Sequence, residues 1–126
     1  MIKVWIVDDD QDMVGAIRLM VKMLEYDERH FFSARQAAQT LLGGERPDLF
    51  ILDINMPEVS GLDLLEFIRR RKDWNDLAVV MLSTEAADVT VDKAMRIGAD
   101  AYTTKPVALE ELEKEIKKAL AAHGKQ

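Results

Sequence analysis

The chain has 126 residues, 48% of them apolar and 32% charged, with 6 Gly, 3 Pro, no Cys and a formal net charge of −6. That is enough for one globular domain with one hydrophobic core and too little for two. The acidic balance argues against binding to nucleic acid or an anionic membrane surface and favours a bound cation. Lack of Cys excludes a disulfide frame and thiolate chemistry and suits a reducing cytosol.

The first apolar run, Ile2–Val7, ends in Asp8-Asp9-Asp10. It is far too short for a signal-peptide core or a membrane span and reads as a strand. Met13, Val14, Ile17, Met20, Val21 and Leu24 then recur at helical spacing, with Asp10 as the expected N-cap. Arg29–Phe32 is a second, less marked strand. Ala34, Ala37, Ala38, Leu41 and Leu42 form the next helical pattern, opened by Ser33 and stopped by Gly43-Gly44.

Leu49–Leu52 is a third strand, followed by Asp53-Ile54-Asn55-Met56-Pro57. A helix over Gly61–Arg71 turns Leu64, Leu65 and Ile68 inward. Leu77–Leu82 is the fourth strand and leads into Ser83-Thr84-Glu85. A helix over Ala87–Ile97 stops at Gly98. Ala101–Thr104 is the last strand and runs into Lys105-Pro106. The final helix carries Leu109, Leu112, Ile116, Ala119 and Leu120.

Strand and helix thus alternate five times. Most of the strands lack a period-two pattern, as expected when both faces of a parallel sheet are covered. Parallel strands need crossovers, and helices supply them. The expected fold is α/β, a doubly wound five-stranded parallel sheet in one domain over 1–126, with no output domain in this chain. Ligands of such sheets bind beyond the carboxyl ends of the strands. There the sequence puts Asp8-Asp9-Asp10, Asp53, Ser83-Thr84 and Lys105.

Carboxylates from two strand ends repel one another unless a cation sits among them. Oxygen ligands without His or Cys favour Mg²⁺, or Mn²⁺. A helix cap needs one acid, not three plus a fourth from another strand. A carboxylate beside a divalent ion is a competent nucleophile toward phosphorus. Phosphoryl transfer otherwise asks for positioning and charge neutralisation, which Lys105 and a Ser83 or Thr84 hydroxyl can supply. Taken singly, Lys105 is a solvated lysine and Ser83 a turn former. Their common placement on strand ends is what argues for a site.

This set resembles the receiver domain of bacterial two-component response regulators, the family of the chemotaxis regulator CheY. The likeness spans essentially the whole chain. It rests on the acidic pair after strand one, Leu52-Asp53-Ile54-Asn55-Met56-Pro57 with Gly61 beyond, Ser83, Tyr102, and Lys105-Pro106.

The resemblance implies the strand order 2-1-3-4-5 and a signalling switch rather than a conventional enzyme. Asp53 would be the phosphoacceptor. Asp8 and Asp9, Asp53 and the backbone carbonyl of Asn55 would hold Mg²⁺. Lys105 would bind the phosphate, aimed by a cis Lys105-Pro106 bond. Ser83 and Tyr102 would be the switch pair, altering the face of helix four, strand five and helix five. Asn55 and Glu85 would tune the lifetime of the acyl phosphate. The implied partners are a sensor histidine kinase or phosphotransfer protein, and a downstream protein or covalent output domain. The implied place is the cytoplasm, as a monomer or a phosphorylation-promoted dimer.

The sequence departs from the family pattern at Val107, where Phe is commoner, at Ala78, where Pro is common, and at Trp74. Three other readings fit less well. Asp8-x-Asp10 matches the first motif of haloacid dehalogenase-like phosphatases, but Asp12 stands where Thr or Val is expected. A flavin or nucleotide site wants Gly, Ser or Thr after strand one to cradle phosphate. A pseudo-receiver lacks a site residue, and here none is missing.

Overall fold

The computed structural model describes residues 1–125. Five strands, β1 (Lys3–Val7), β2 (Asp27–Phe31), β3 (Leu49–Asp53), β4 (Ala78–Ser83) and β5 (Ala101–Thr104), alternate with five helices. The helices are α1 (Gln11–Met23), α2 (Ala34–Leu42), α3 (Gly61–Arg69), α4 (Asp88–Ile97) and α5 (Leu109–Ala122). All strand pairs are parallel, in the order β2-β1-β3-β4-β5. This is the doubly wound arrangement, and the strand-order reversal beside β1 opens a crevice at the carboxyl edge.

Period two along the strands divides the core. Val4, Ile6, Leu49, Ile51, Val80 and Leu82 face α1 and α5, meeting Val14, Ile17, Val21, Leu112 and Ile116. Trp5, Val7, Phe50, Leu52, Val79 and Met81 face the other way, onto Ala37 and Leu41 of α2, Leu65 and Ile68 of α3, and Ala94 of α4. Every residue of β3 and β4 is buried, which is why both are apolar up to their last residues, Asp53 and Ser83.

Two element boundaries differ from the predicted ones by two residues, while β1, β3, β4 and α4 differ by one. β2 runs Asp27–Phe31 rather than Arg29–Phe32, in register with Lys3–Val7. It is an edge strand whose polar side chains have partners: Arg18 Nε donates to Glu28 Oε2 at 2.9 Å. Apolar periodicity cannot reveal such a strand. Phe32 lies beyond it and is half exposed. α3 ends at Arg69 rather than Arg71, because Arg71 turns extended and opens a short 3₁₀ turn, Lys72–Trp74. The turn buries Trp74 against Phe67, ring centroids 5.3 Å apart, under the Arg71 guanidinium at 4.3 Å.

At the amino edge of the sheet a polar network fastens three elements. Asp100 Oδ2 accepts from Arg69 of α3 at 3.1 Å and from the Val79 amide at 2.8 Å, and lies 2.9 Å from Nε2 of His123 at the end of α5. Lys125 Nζ donates to the Asp48 carbonyl at 2.9 Å. Among the described residues no helix is long and apolar enough to cross a membrane.

Candidate functional site

The triple acid after β1 separates by burial. Asp10 is exposed and caps α1, its Oδ1 accepting from the Asp12 and Met13 amides at 3.1 and 3.3 Å. Asp8 is buried, 1% exposed, and fixed through its main chain. Its amide donates to the Phe31 carbonyl at 3.1 Å, its carbonyl meets His30 Nε2 at 2.8 Å, and its Oδ1 accepts from the Asp10 amide at 2.9 Å. Asp9, between them, is exposed.

Asp53 ends β3 and is 3% exposed. Its Oδ1 accepts from the Asn55 amide at 3.3 Å. Behind it, Gly61 donates to the Ile54 carbonyl at 3.2 Å. A Cβ on Gly61 would stand 2.1 Å from the Asp53 carbonyl oxygen, so the first turn of α3 rests on the main chain of Asp53 and only glycine fits there. The Ser60–Asp63 capping box holds that turn.

Oxygens of Asp8, Asp9 and Asp53 all lie within 4.8 Å of one another. Lys105 Nζ is 2.9 Å from Asp8 Oδ2 and 3.5 Å from Asp53 Oδ1. Burial, then the charge of Asp8, raises the Asp53 carboxyl to about 6, against the pull of Lys105 and the Asn55 amide. Burial alone would lower Lys105, but its hydrogen bond to Asp8 and the charges of Asp8 and Asp53 leave it above its ordinary value. The buried Asp8 Oδ2 has the Lys105 ammonium 2.9 Å away. One ammonium offsets only part of the charge of three converging carboxylates, and an all-oxygen donor set of this kind fits a hard divalent cation.

Ser83 ends β4, fully buried. Its Oγ accepts from the Glu85 amide at 3.0 Å and from Asn55 Nδ2 at 3.3 Å, which leaves the hydroxyl proton free to donate. Its carbonyl accepts from the Lys105 amide at 2.8 Å, tying the ends of β4 and β5 together. Lys105-Pro106 is cis. Asn55 and Glu85 are both exposed and flank the hydroxyl. Tyr102 is half-buried, and its hydroxyl donates to the Glu85 carbonyl at 2.8 Å. Beside it a hollow of about 390 Å³ opens between Val91, Tyr102, Val107 and Glu111. The site residues chosen from sequence thus converge on one rim. The contact of His30 with the Asp8 carbonyl is one that sequence reasoning missed. Its one signal is the place of His30 in the strand beside β1, one residue short of that strand's end.

The chain matches the family described as the response regulator receiver domain over residues 4–117, and it belongs to that family. It is 35% identical over 127 residues to the KDP operon transcriptional regulatory protein KdpE of Escherichia coli (strain K12), covering 98% of this chain and 53% of the relative. To the transcriptional regulatory protein BasR of the same organism it is 36% identical over 126 residues, covering 98% and 54%. The chain therefore spans about half the length of these two relatives. Among solved structures, chemotaxis protein CheY4 of Vibrio cholerae superposes with a TM-score of 0.87 at 25% identity, covering 95% of this chain and 99% of that one. A response regulator receiver protein from Pseudomonas putida gives 0.81 at 28%, covering 92% and 95%. The chain is a receiver domain of the two-component response regulators, a phosphorylation-mediated signalling module rather than a conventional enzyme.

Proposed function

We propose that Asp53 is the phosphoacceptor of this receiver. The observation that carries the reading is a buried carboxylate whose oxygens lie within 4.8 Å of those of Asp8 and Asp9, with Lys105 at 3.5 Å. Asp8, Asp9 and Asp53, with the Asn55 carbonyl, would hold Mg²⁺ or, in its place, Mn²⁺. When bound, that ion neutralises charge on the phosphoryl oxygens and on the carboxylates around it.

An Asp53 carboxylate oxygen attacks phosphorus and forms an O–P bond. The P–N bond of a phosphohistidine breaks, and the ring nitrogen keeps the electron pair. An acyl phosphate donor loses its P–O bond in the same way. Lys105 pairs with one phosphoryl oxygen and the Ser83 hydroxyl donates to another. That draws Ser83 away from Asn55 Nδ2 and the Glu85 amide. Tyr102, no longer held through Glu85, turns into the adjoining hollow, and the α4-β5-α5 face changes for a partner to read. Water attack on phosphorus releases inorganic phosphate and restores Asp53. Asn55 and Glu85, exposed on either side of Ser83, govern access of that water.

The donor partner is a sensor histidine kinase or phosphotransfer protein, and the reader is a downstream protein or covalent output domain. The acidic, Cys-free composition suits the cytoplasm, and residues 1–126 act as one receiver, as a monomer or a phosphorylation-promoted dimer.

Intact mass after incubation with acetyl phosphate and Mg²⁺ tests the assignment. The parent is expected to gain one phosphate, and Asp53→Asn none. An equal gain in the variant, or none in the parent across donors and conditions, removes Asp53 from the role.

A further inference from the structure

His30 is not among the residues that the phosphoryl chemistry names. It lies on edge strand β2, paired with Ile6. The β1–β2 ladder makes one further backbone bond, from the Asp8 amide to the Phe31 carbonyl at 3.1 Å. The chain then turns at Phe32 and Ser33, and Ser33 caps α2. A parallel ladder would next bring a backbone amide to the Asp8 carbonyl. Here the imidazole takes that place, with Nε2 at 2.8 Å. A carbonyl only accepts, so Nε2 carries the proton, and it donates whether the ring is neutral or charged. The ring is held in turn, edge-on to Phe32 with centroids 4.1 Å apart at 76°.

That contact reaches beyond Asp8. The carbonyl belongs to the peptide unit that joins Asp8 to Asp9, so its direction sets where the Asp9 side chain leaves the main chain. No hydrogen bond to the Asp9 carboxylate is seen among the described residues. Asp8 is anchored by its amide, its carbonyl and its Oδ1, and its Oδ2 pairs with Lys105. Lys105 holds the carboxylate end, and among the described residues His30 is the side chain of another element that holds the Asp8 main chain.

We infer that His30 is a positioning residue for the cation, holding the Asp8–Asp9 peptide so that both carboxylates meet Asp53 in one oxygen cluster. This rests on reading those carboxylates as cation ligands. It touches neither cation nor phosphate and acts through Asp8, as outer-shell partners of metal ligands do.

The test is calorimetric titration with MgCl₂ of the parent, His30→Leu and His30→Gln. Unfolding of each in EDTA is measured alongside. Leu keeps bulk against Phe32 but has no donor; Gln restores an N–H donor of similar reach. Leu is expected to weaken Mg²⁺ binding about tenfold, the low end for outer-shell partners, and Gln to recover most of it. With acetyl phosphate, the Leu variant should be slow at subsaturating Mg²⁺ and within about twofold of the parent at saturation. Should Leu fail to fold, His30→Ala takes its place against Gln. A dissociation constant changed less than about twofold in the variant without a donor overturns the inference, as does equal weakening by Leu and Gln. A parent that binds Mg²⁺ normally while the variants do the same removes only His30. A parent that does not bind Mg²⁺ removes the cation site as well.

Discussion

Asp53 is the residue at which burial and chemistry pull against each other. Burial, with the charge of Asp8, raises its carboxyl from 3.8 to about 6. An acid with a higher pKa in the folded chain holds its proton more tightly there than in the unfolded chain. Its contribution to stability is full below the unfolded value and is lost as pH rises through about 6. Asp53→Asn cannot ionise and is expected to be more stable than the parent by about 1–2 kcal/mol at pH 7.5 in EDTA, solvent screening discounting the full shift. The gain should shrink steadily toward pH 4. Urea unfolding at several pH values checks this, and a pH-independent difference would place the effect in packing instead. At this scale the sequence was informative where a residue's type is unusual for its place. Acids ending apolar strands, and a lysine ending β5, stand out. His30 does not, because donating to a backbone carbonyl requires no spacing or neighbour that a sequence displays.

Among the elements, α3 is fixed at its start and α4 is lightly held. The start of α3 depends on Gly61, whose missing Cβ would otherwise sit 2.1 Å from the Asp53 carbonyl oxygen. Gly61→Ala is expected to cost about 2–3 kcal/mol through overpacking against backbone. Gly15→Ala, on the open face of α1 with no atom near its Cβ position, should instead stabilise by about 0.5–1 kcal/mol. Thermal or urea unfolding of both variants separates the two cases, and equal effects would contradict the close contact. α4 buries only Ala94 and starts without a side-chain cap, whereas α5 buries five residues. An element with so little burial opens at low cost, which suits the helix expected to move. The periodicity of Leu64, Leu65 and Ile68 located α3, yet its end was misplaced by two residues. Arg70 and Arg71 are good helix formers, and what competes with continuing the helix lies outside it: the burial of Trp74 and the bonds of Arg69 and Arg46 to the carbonyls of Leu77 and Asp73. β2 was misplaced for the opposite reason, since its stabilising groups are charged.

At the scale of the molecule, the site and the α4-β5-α5 face are joined through short backbone links. The Lys105 amide donates to the Ser83 carbonyl at 2.8 Å, and the Tyr102 hydroxyl reaches the Glu85 carbonyl at 2.8 Å. Lys105→Ala is expected to leave Mg²⁺ binding within a few-fold and to lose the conformational response to phosphate. Amide chemical shifts of α4 and β5 with and without acetyl phosphate check this, and unaltered shifts relative to the phosphorylated parent would count against the role of Lys105. The layered fold was legible because covering a parallel sheet on both faces demands continuous apolar strands, and β1, β3 and β4 are written that way. The amino-edge network was not, since Arg69, Asp100 and His123 lie far apart in sequence and each resembles a solvated residue. That network has a mechanical consequence. α5 starts at the rim that carries Lys105 and runs about 20 Å, packed on the sheet through Leu112, Ile116, Ala119 and Leu120, to an end fastened through His123 to Asp100. A helix seated along its length and pinned at its far end yields most readily at its first turn. A displacement begun near Leu109 therefore dies away toward His123.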